Sequence, residues 1–115
     1  MNNTQLDLNL LENYRSNLGK EVLMKMLALY RQQGEIYLAD IEQALSHNEP
    51  QQWQEHCHKM KGASGSVGLK QVHALLVDME KSQAEQAIKN KKLQELQQLN
   101  KIAIVAFEQW LTDNS

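Results

Sequence analysis

Hydrophobic residues recur along this chain at intervals of three and four positions, the spacing of one face of an α-helix. A first short series stops at Gly19 and consists of Leu8, Leu11, Tyr14 and Leu18. A longer series runs from Lys20 to Ser46 and consists of Leu23, Met26, Leu27, Tyr30, Tyr37, Ile41 and Ala44. Gly34 lies on the same stripe and can admit a close neighbouring helix. The pattern predicts one short and one long helix.

Three further helices are predicted after a connection at His47 and Asn48. Asn48-Glu49-Pro50 is typical of a helix start, because proline has no N–H to lose in the first turn. This third helix ends at Gly68, and its core stripe is Trp53, Cys57, Met60, Ser64 and Val67. The fourth carries Leu69, Val72, Leu75, Leu76 and Met79. The last carries Leu93, Leu96, Leu99, Ala103, Ala106, Phe107 and Trp110, and we place the connection before it at Ser82 to Asn90.

No segment alternates between apolar and polar residues with the period of two that a strand requires. The short turn at Gly68 makes the third and fourth helices antiparallel neighbours. We therefore expect an all-α fold, an antiparallel four-helix bundle with an additional short N-terminal helix, built as a single domain by residues 1–115.

The long helix also carries a second apolar line. Val22, Leu29 and Ile36 repeat every seven residues, about 100° from the centre of the core stripe. Two interpretations are open. The short first helix can pack over this line, or the line can remain partly exposed as a docking surface for another protein.

Composition and charge exclude several functions. The chain is 42% hydrophobic and 23% charged with a formal net charge of −2, and its lysines are scattered among glutamates, so nucleic acid is not expected as a partner. A single cysteine, the absence of a signal peptide and the absence of about 20 consecutive apolar residues predict a cytoplasmic protein without direct membrane contact. A larger membrane-anchored protein could still contain this chain as its cytoplasmic C-terminal domain.

The chemistry of the chain centres on His58. On the third helix it lies roughly 140° from the core stripe, grouped with Gln54, Gly62 and Gly65, while Lys61 borders this group. The imidazole therefore faces water beside bare backbone that a bulky partner can approach. Imidazole is a nucleophile near neutral pH, and the ammonium of Lys61 can balance added negative charge. These features predict a site that receives a phosphoryl group.

No nucleotide-binding sequence accompanies this histidine. The chain lacks a G-x-x-x-x-G-K-[ST] loop, a G-x-G-x-x-G motif after a strand, and an acidic cluster for Mg²⁺. We therefore expect no bound cofactor and no autonomous kinase activity, with the phosphoryl group coming from a protein donor rather than from ATP.

The segment from His58 to Leu69 resembles the signature of histidine-containing phosphotransfer (HPt) domains. That signature is a histidine, a lysine three residues later, a glycine next, then small residues and a glycine before the following helix. Leu18-Gly19, Leu45 and Met79-Glu80 also match, whereas Cys57 replaces a common alanine and Met60 a common leucine. The resemblance is to the domains at the C-terminus of bacterial hybrid sensor histidine kinases.

The resemblance implies a phosphorelay. His58 is then the phosphoacceptor through its Nε2, Lys61 steadies the phosphoryl oxygens, and Gly62 permits close approach. Gln32 occupies a position similar to that of a glutamine that contacts the histidine in one family member. The implied partners are response-regulator receiver domains, which bring their own Mg²⁺ and dock over the His58 face and the apolar line, and the isolated domain is expected to be a monomer.

Three other interpretations were weighed. A metal site is suggested by the residues His47, His56, Cys57, His58 and His73. However, neighbouring side chains on a helix diverge, no helical His-x-x-x-His pair exists, and His47 and His73 are expected at the surface. The dimerisation helix of a histidine kinase carries an acidic residue after its histidine, where this chain has Lys59. The last alternative is a structural or adaptor bundle in which His58 is incidental.

Overall fold

The computed structural model describes residues 5–114, which form five α-helices. They are α1 (Leu8–Leu18), α2 (Lys20–Ser46), α3 (Pro50–Ser66), α4 (Lys70–Lys81) and α5 (Gln86–Asp113). No strand occurs in this part of the chain. The predicted all-α fold is confirmed.

Helix α1 lies across the turn between α3 and α4. Asp7 caps the helix, since its carboxylate accepts from the N–H of Leu10 at 3.2 Å. The backbone N–H of Asp7 donates to the Gly68 carbonyl at 2.8 Å, and the Tyr14 hydroxyl donates to the Ser66 carbonyl at 2.9 Å. Gly68 has a φ of 74°, a left-handed conformation that favours glycine. These bonds attach α1 to one end of the bundle.

The remaining four helices form the bundle. Helix α3 packs against α2 and α4, and α5 packs against the same two helices from the opposite side. Because the connections are short, successive helices run antiparallel. The largest fully buried side chains are Trp53, Phe107, Leu6, Leu11, Leu23, Ile41, Met60, Leu69, Leu76, Met79, Leu96 and Val72.

The predicted connection from Ser82 to Asn90 is too long at its C-terminal end. Helix α5 begins at Gln86, and its first turns are polar, which is why apolar periodicity missed them. Lys89 takes a core position there with only 8% of its surface exposed, and its ammonium lies 5.2 Å from the ring centroid of Trp53. The aliphatic stem of a lysine can fill apolar space while its charge contacts an aromatic face.

No helix within residues 5–114 combines the length and the apolar character needed to cross a bilayer.

Candidate functional site

His58 lies in the middle of α3 with 69% of its side chain exposed. Its exposure follows from the narrow core stripe of the helix, in which Trp53, Cys57 and Met60 are fully or almost fully buried. The indole N–H of Trp53 donates to the Met79 carbonyl at 2.9 Å and so joins α3 to α4 beside the histidine. The imidazole therefore protrudes from a rigid part of the bundle.

Glu80 on α4 brings His58 and Lys61 together. Its Oε1 lies 2.6 Å from Nδ1 of His58, and its Oε2 accepts from the ammonium of Lys61 at 2.9 Å. Only 14% of the Glu80 side chain and 22% of the Lys61 side chain are exposed. The hydrogen bond from Lys61 lowers the pKa of Glu80 most strongly, partial burial opposes this shift, and the contact with His58 lowers the pKa further. Glu80 is therefore an ionised acceptor at neutral pH.

The sequence interpretation gave Glu80 no role in the site, although a signal for it existed. His58 precedes Gly68 by ten residues and Glu80 follows it by twelve. In an antiparallel helix pair, residues at similar distances from the turn lie at the same level. That register brings an acidic residue on the fourth helix close to the histidine.

Lys61 is also tied to α4 through its backbone. The ring of His73 donates from Nδ1 to the Lys61 carbonyl at 3.0 Å, and the Ser64 hydroxyl donates to the same carbonyl at 3.0 Å. The expectation that His73 is a surface residue is therefore wrong, because its ring is half-buried between the two helices. The reason is close approach at Gly65, where an added Cβ would lie 2.9 Å from Nδ1 of His73.

The two glycines near the histidine differ in their surroundings. Gly65 has a packing role inside the bundle, because the space at its Cβ position is taken by the ring of His73. A role for Gly65 in admitting a partner stays a prediction. Gly62 is exposed, and a Cβ added there would meet nothing within 4 Å among the described residues, apart from its chain neighbours and the backbone of its own helix. The fold does not require glycine at this position, so a role for Gly62 in admitting a partner stays a prediction.

The apolar line on α2 remains partly exposed. Val22 is 38% exposed, Leu29 is 59% exposed and Ile36 is 50% exposed. The flank that carries them faces the α3 side of the bundle, since Asp40, one turn after Ile36, lies 3.9 Å from Nδ1 of His56. Gln32 is exposed on α2 and, within residues 5–114, shares no hydrogen bond with His58, whose Nδ1 is paired with Glu80.

His58 borders an open depression of about 370 Å³. Its lining residues are Gln51, Gln54, Glu55, His58, Lys59 and Glu80. Nowhere in residues 5–114 do three or more histidine, cysteine or acidic side chains cluster in a way that could hold a metal ion. Burial raises the pKa of the Cys57 thiol to about 12, so this neighbour of His58 stays protonated at neutral pH.

Two solved structures share the fold closely. The chain superimposes on the histidine-containing phosphotransfer domain of ArcB from Escherichia coli with a TM-score of 0.87 and 23% identity, covering 96% of each chain. It superimposes on the solution structure of the same domain of the anaerobic sensor kinase ArcB with a TM-score of 0.82 and 24% identity, covering 94% of this chain and 88% of that one. At this identity the likeness establishes the fold. No curated protein matches the chain significantly.

The family is established by the sequence itself. The family model for the Hpt domain matches residues 25–109, which include His58, Lys61 and Glu80. This match covers most of the chain and confirms the resemblance predicted from the residues around His58. The chain therefore belongs to the Hpt domain family, the phosphotransfer domains of two-component phosphorelays.

Proposed function

We propose that this domain accepts a phosphoryl group from the aspartyl phosphate of one receiver domain onto His58 and passes it to the aspartate of another. The observation that carries the proposal is an exposed imidazole whose Nδ1 is paired with Glu80. Nε2 has no partner among residues 5–114, and the ammonium of Lys61 is bonded to the same carboxylate. A nucleophile and a cation are thus presented together.

The proposed reaction is an in-line transfer. The lone pair on Nε2 of His58 forms the N–P bond while the P–O bond of the acyl phosphate breaks, and that electron pair returns to the receiver's aspartate oxygen. Lys61 balances charge on the phosphoryl oxygens. Such reactions depend mostly on positioning and charge stabilisation, which suits a site with few side chains. Mg²⁺ enters with the receiver, and the domain needs no cofactor of its own.

The proposed docking surface combines the apolar line of Val22, Leu29 and Ile36 with the face of His58. The line is exposed on the flank of α2 toward α3. Gly62 adds bare backbone beside the histidine, and Gln32 lies one turn before Ile36 on α2. A shared apolar surface of this kind allows one domain to bind several related receivers.

The cellular setting follows from the proposed partners. Receiver domains act in the cytoplasm, so we place this domain there, either alone or as the C-terminal domain of a membrane-bound hybrid kinase. Features of the receiver domains themselves determine which of them donates the phosphoryl group and which accepts it.

The function is tested by incubating the protein with phosphorylated receiver domains and, separately, with phosphoramidate, a small phosphoryl donor that needs no docking. We expect an acid-labile, base-stable phosphate on the wild type and none on His58→Gln. Lys61→Ala should accept phosphate at least about tenfold more slowly, because the nucleophile remains while the cation is lost.

A structural or adaptor bundle predicts a different result. In that case no receiver would transfer phosphate to the wild type. Phosphate that persists on His58→Gln would instead show that another residue is the acceptor.

A further inference from the structure

We propose that the cavity between two loops at one end of the bundle is a binding site for a small organic monocarboxylate, with the ammonium of Lys89 as its cation. The cavity has a volume of about 680 Å³ and lies between the α2–α3 connection and the α4–α5 connection. This volume is in the range of small-molecule sites. The proposal concerns binding alone and does not rest on the phosphotransfer reaction.

The first observation is the environment of Lys89, in the first turn of α5. This residue lines the cavity, yet only 8% of its surface is exposed. Its ammonium lies 5.2 Å from the ring centroid of Trp53, but among residues 5–114 it has no hydrogen-bond acceptor and no carboxylate partner. An ammonium has three N–H donors, and a buried donor without an acceptor costs free energy. The donors of Lys89 are therefore free for a ligand in the cavity.

The second observation is that two helix N-termini meet at the same cavity. Helix α3 begins at Pro50 and α5 begins at Gln86, and both residues belong to the lining. In the part of the chain that the structure describes, neither N-terminus is capped by a side chain. The N–H groups of a first turn have no partner within their own helix, and the helix dipole attracts negative charge to them. Both helices thus favour the same sign of ligand as Lys89.

The carboxylates around the cavity limit the charge of that ligand. Glu80 is engaged in the histidine site, and Glu49 and Glu85 are exposed, so water and salt screen their charges. Lys81, the other lysine of the lining, is also exposed. The three glutamates repel a dianion about twice as strongly as a monoanion, because the Coulomb energy is proportional to the ligand charge. One carboxylate therefore matches the one buried ammonium best.

The remaining lining suits an organic body on this carboxylate. Its apolar surface is supplied by Ala44, Leu45, Pro50, Trp53 and Ala84. The walls are joined before a ligand arrives, since the side-chain amide of Gln86 donates to the Leu45 carbonyl at 2.9 Å and the indole of Trp53 donates to the Met79 carbonyl at 2.9 Å. A preformed site of this kind loses little free energy to ordering when the ligand binds.

Propionate, which combines one carboxylate with a short apolar chain, is the probe. It is titrated into ¹⁵N-labelled protein at constant pH and ionic strength, and the shifts of the Gln51 and Gln86 amides and of the Trp53 indole N–H are followed. Propionamide has nearly the same shape without the charge, and sulfate is the dianion for comparison. The variants are Lys89→Met and the control Lys91→Met, which removes an exposed lysine from the same helix.

We expect saturable shifts with propionate and a Kd in the millimolar range, as is ordinary for so small a ligand. Methionine has a flexible apolar chain that can fill the space of the lysine stem. Lys89→Met should therefore stay folded but bind propionate about 10- to 100-fold more weakly, since a charge-assisted hydrogen bond is lost. Lys91→Met should match the wild type, and propionamide and sulfate should both bind the wild type more weakly than propionate.

Three results would overturn the inference. They are the absence of saturable shifts in the wild type, equal propionate affinity in Lys89→Met, and tighter binding of sulfate than of propionate. Circular dichroism checks folding, and if Lys89→Met does not fold, Lys89→Gln and the comparison of propionate with propionamide on the wild type decide.

A receiver's acidic side chain is the rival occupant of the cavity. In that case propionate would not bind, and Lys89→Met would slow phosphorylation by a receiver but not by phosphoramidate. This combination of results would show that the inference of a small-molecule site is wrong while the proposed function stands.

Discussion

At the scale of single residues, Gly62 and Gly65 lie three positions apart on α3 but have different environments. Beyond its chain neighbours and its own helix backbone, a Cβ on Gly62 would meet no described atom within 4 Å, whereas one on Gly65 would lie 2.9 Å from Nδ1 of His73. The ring of His73 would have to move, and its hydrogen bond to the Lys61 carbonyl would be strained. Gly65 therefore supports the position of Lys61 from inside the bundle.

This contrast predicts opposite effects of alanine on stability. Gly62→Ala should raise the free energy of unfolding by up to about 1 kcal/mol, since alanine is the better helix former. Gly65→Ala gains the same propensity but must displace His73, and it should be less stable than Gly62→Ala by about 1–3 kcal/mol. Urea unfolding measures both values.

The control is Gly65→Ala in a His73→Ala background, where the obstructing ring is absent. There the alanine should no longer cost stability. Equal stabilisation by alanine at both glycines in the wild-type background would contradict the packing role of Gly65.

At the scale of helices, the exposed apolar line on the flank of α2 is the proposed docking surface. This line borders α3. Helix α5 also exposes apolar side chains, with Ile102 at 44% and Val105 at 62%, but it packs mainly against α2 and α4. Its contact with α3 is that of Lys89 with the Trp53 ring, near the start of α5. Exposure alone therefore does not mark a docking surface. The α2 flank differs because it faces α3, the helix that carries His58.

Aspartate substitutions on each of the two surfaces test which of them binds the receiver. The double variant Leu29→Asp with Ile36→Asp should accept phosphate from a receiver about tenfold or more slowly, because burying a carboxylate in an apolar interface is unfavourable. Its phosphorylation by phosphoramidate should be unchanged, since that donor does not dock.

The matched control is Ile102→Asp with Val105→Asp on α5, which should react with both donors like the wild type. If the α2 double variant also accepts phosphate from the receiver at the wild-type rate, the line of Val22, Leu29 and Ile36 is not the docking surface.

At the scale of the whole molecule, a buried polar pair connects α2 with α5, helices that lie far apart in the sequence. The Tyr30 hydroxyl on α2 donates to Oδ1 of Asn100 on α5 at 2.6 Å, and both residues are buried. A Cβ at Gly34 would make ordinary van der Waals contact with this pair, 3.8 Å from the Tyr30 ring and 3.9 Å from Nδ2 of Asn100. Burial raises the pKa of the Tyr30 phenol well above its ordinary value of 10.0.

The raised pKa predicts a loss of stability in alkali. Above about pH 10 the unfolded phenol loses its proton while the folded phenol keeps it, so rising pH favours unfolding by about 1.4 kcal/mol per pH unit from this residue. Tyr30→Phe lacks this contribution and should show a shallower decline. At pH 7 the variant should be less stable by about 1–3 kcal/mol, because Asn100 loses its partner.

Urea unfolding of both proteins between pH 7 and 11 provides the measurement. Other groups that titrate in alkali, such as Cys57, are present in both proteins and cancel in the difference. Parallel alkaline slopes for the wild type and Tyr30→Phe would show that Tyr30 does not keep its proton in the folded state.

Much of the fold could be predicted because the helices here follow the spacing of apolar residues along the chain. The bounds of α2, the turn at Gly68 and the exposure of His58 all depend on which residues share one face of a single helix. The start of α5 could not be predicted in this way, because the buried residue in its first turns is Lys89, which apolar periodicity does not count.

By itself, the sequence of this protein determined that His58 and Lys61 share an outer face of one helix, because residues three positions apart lie close together around a helix with 3.6 residues per turn. Only the tertiary structure decided what meets that face. Glu80 reaches both side chains, and His73 fills the space over Gly65, because the register between α3 and α4 depends on packing and on the Trp53 bond to Met79. Contacts between helices arise from three-dimensional packing, which the periodicity of a single helix does not specify.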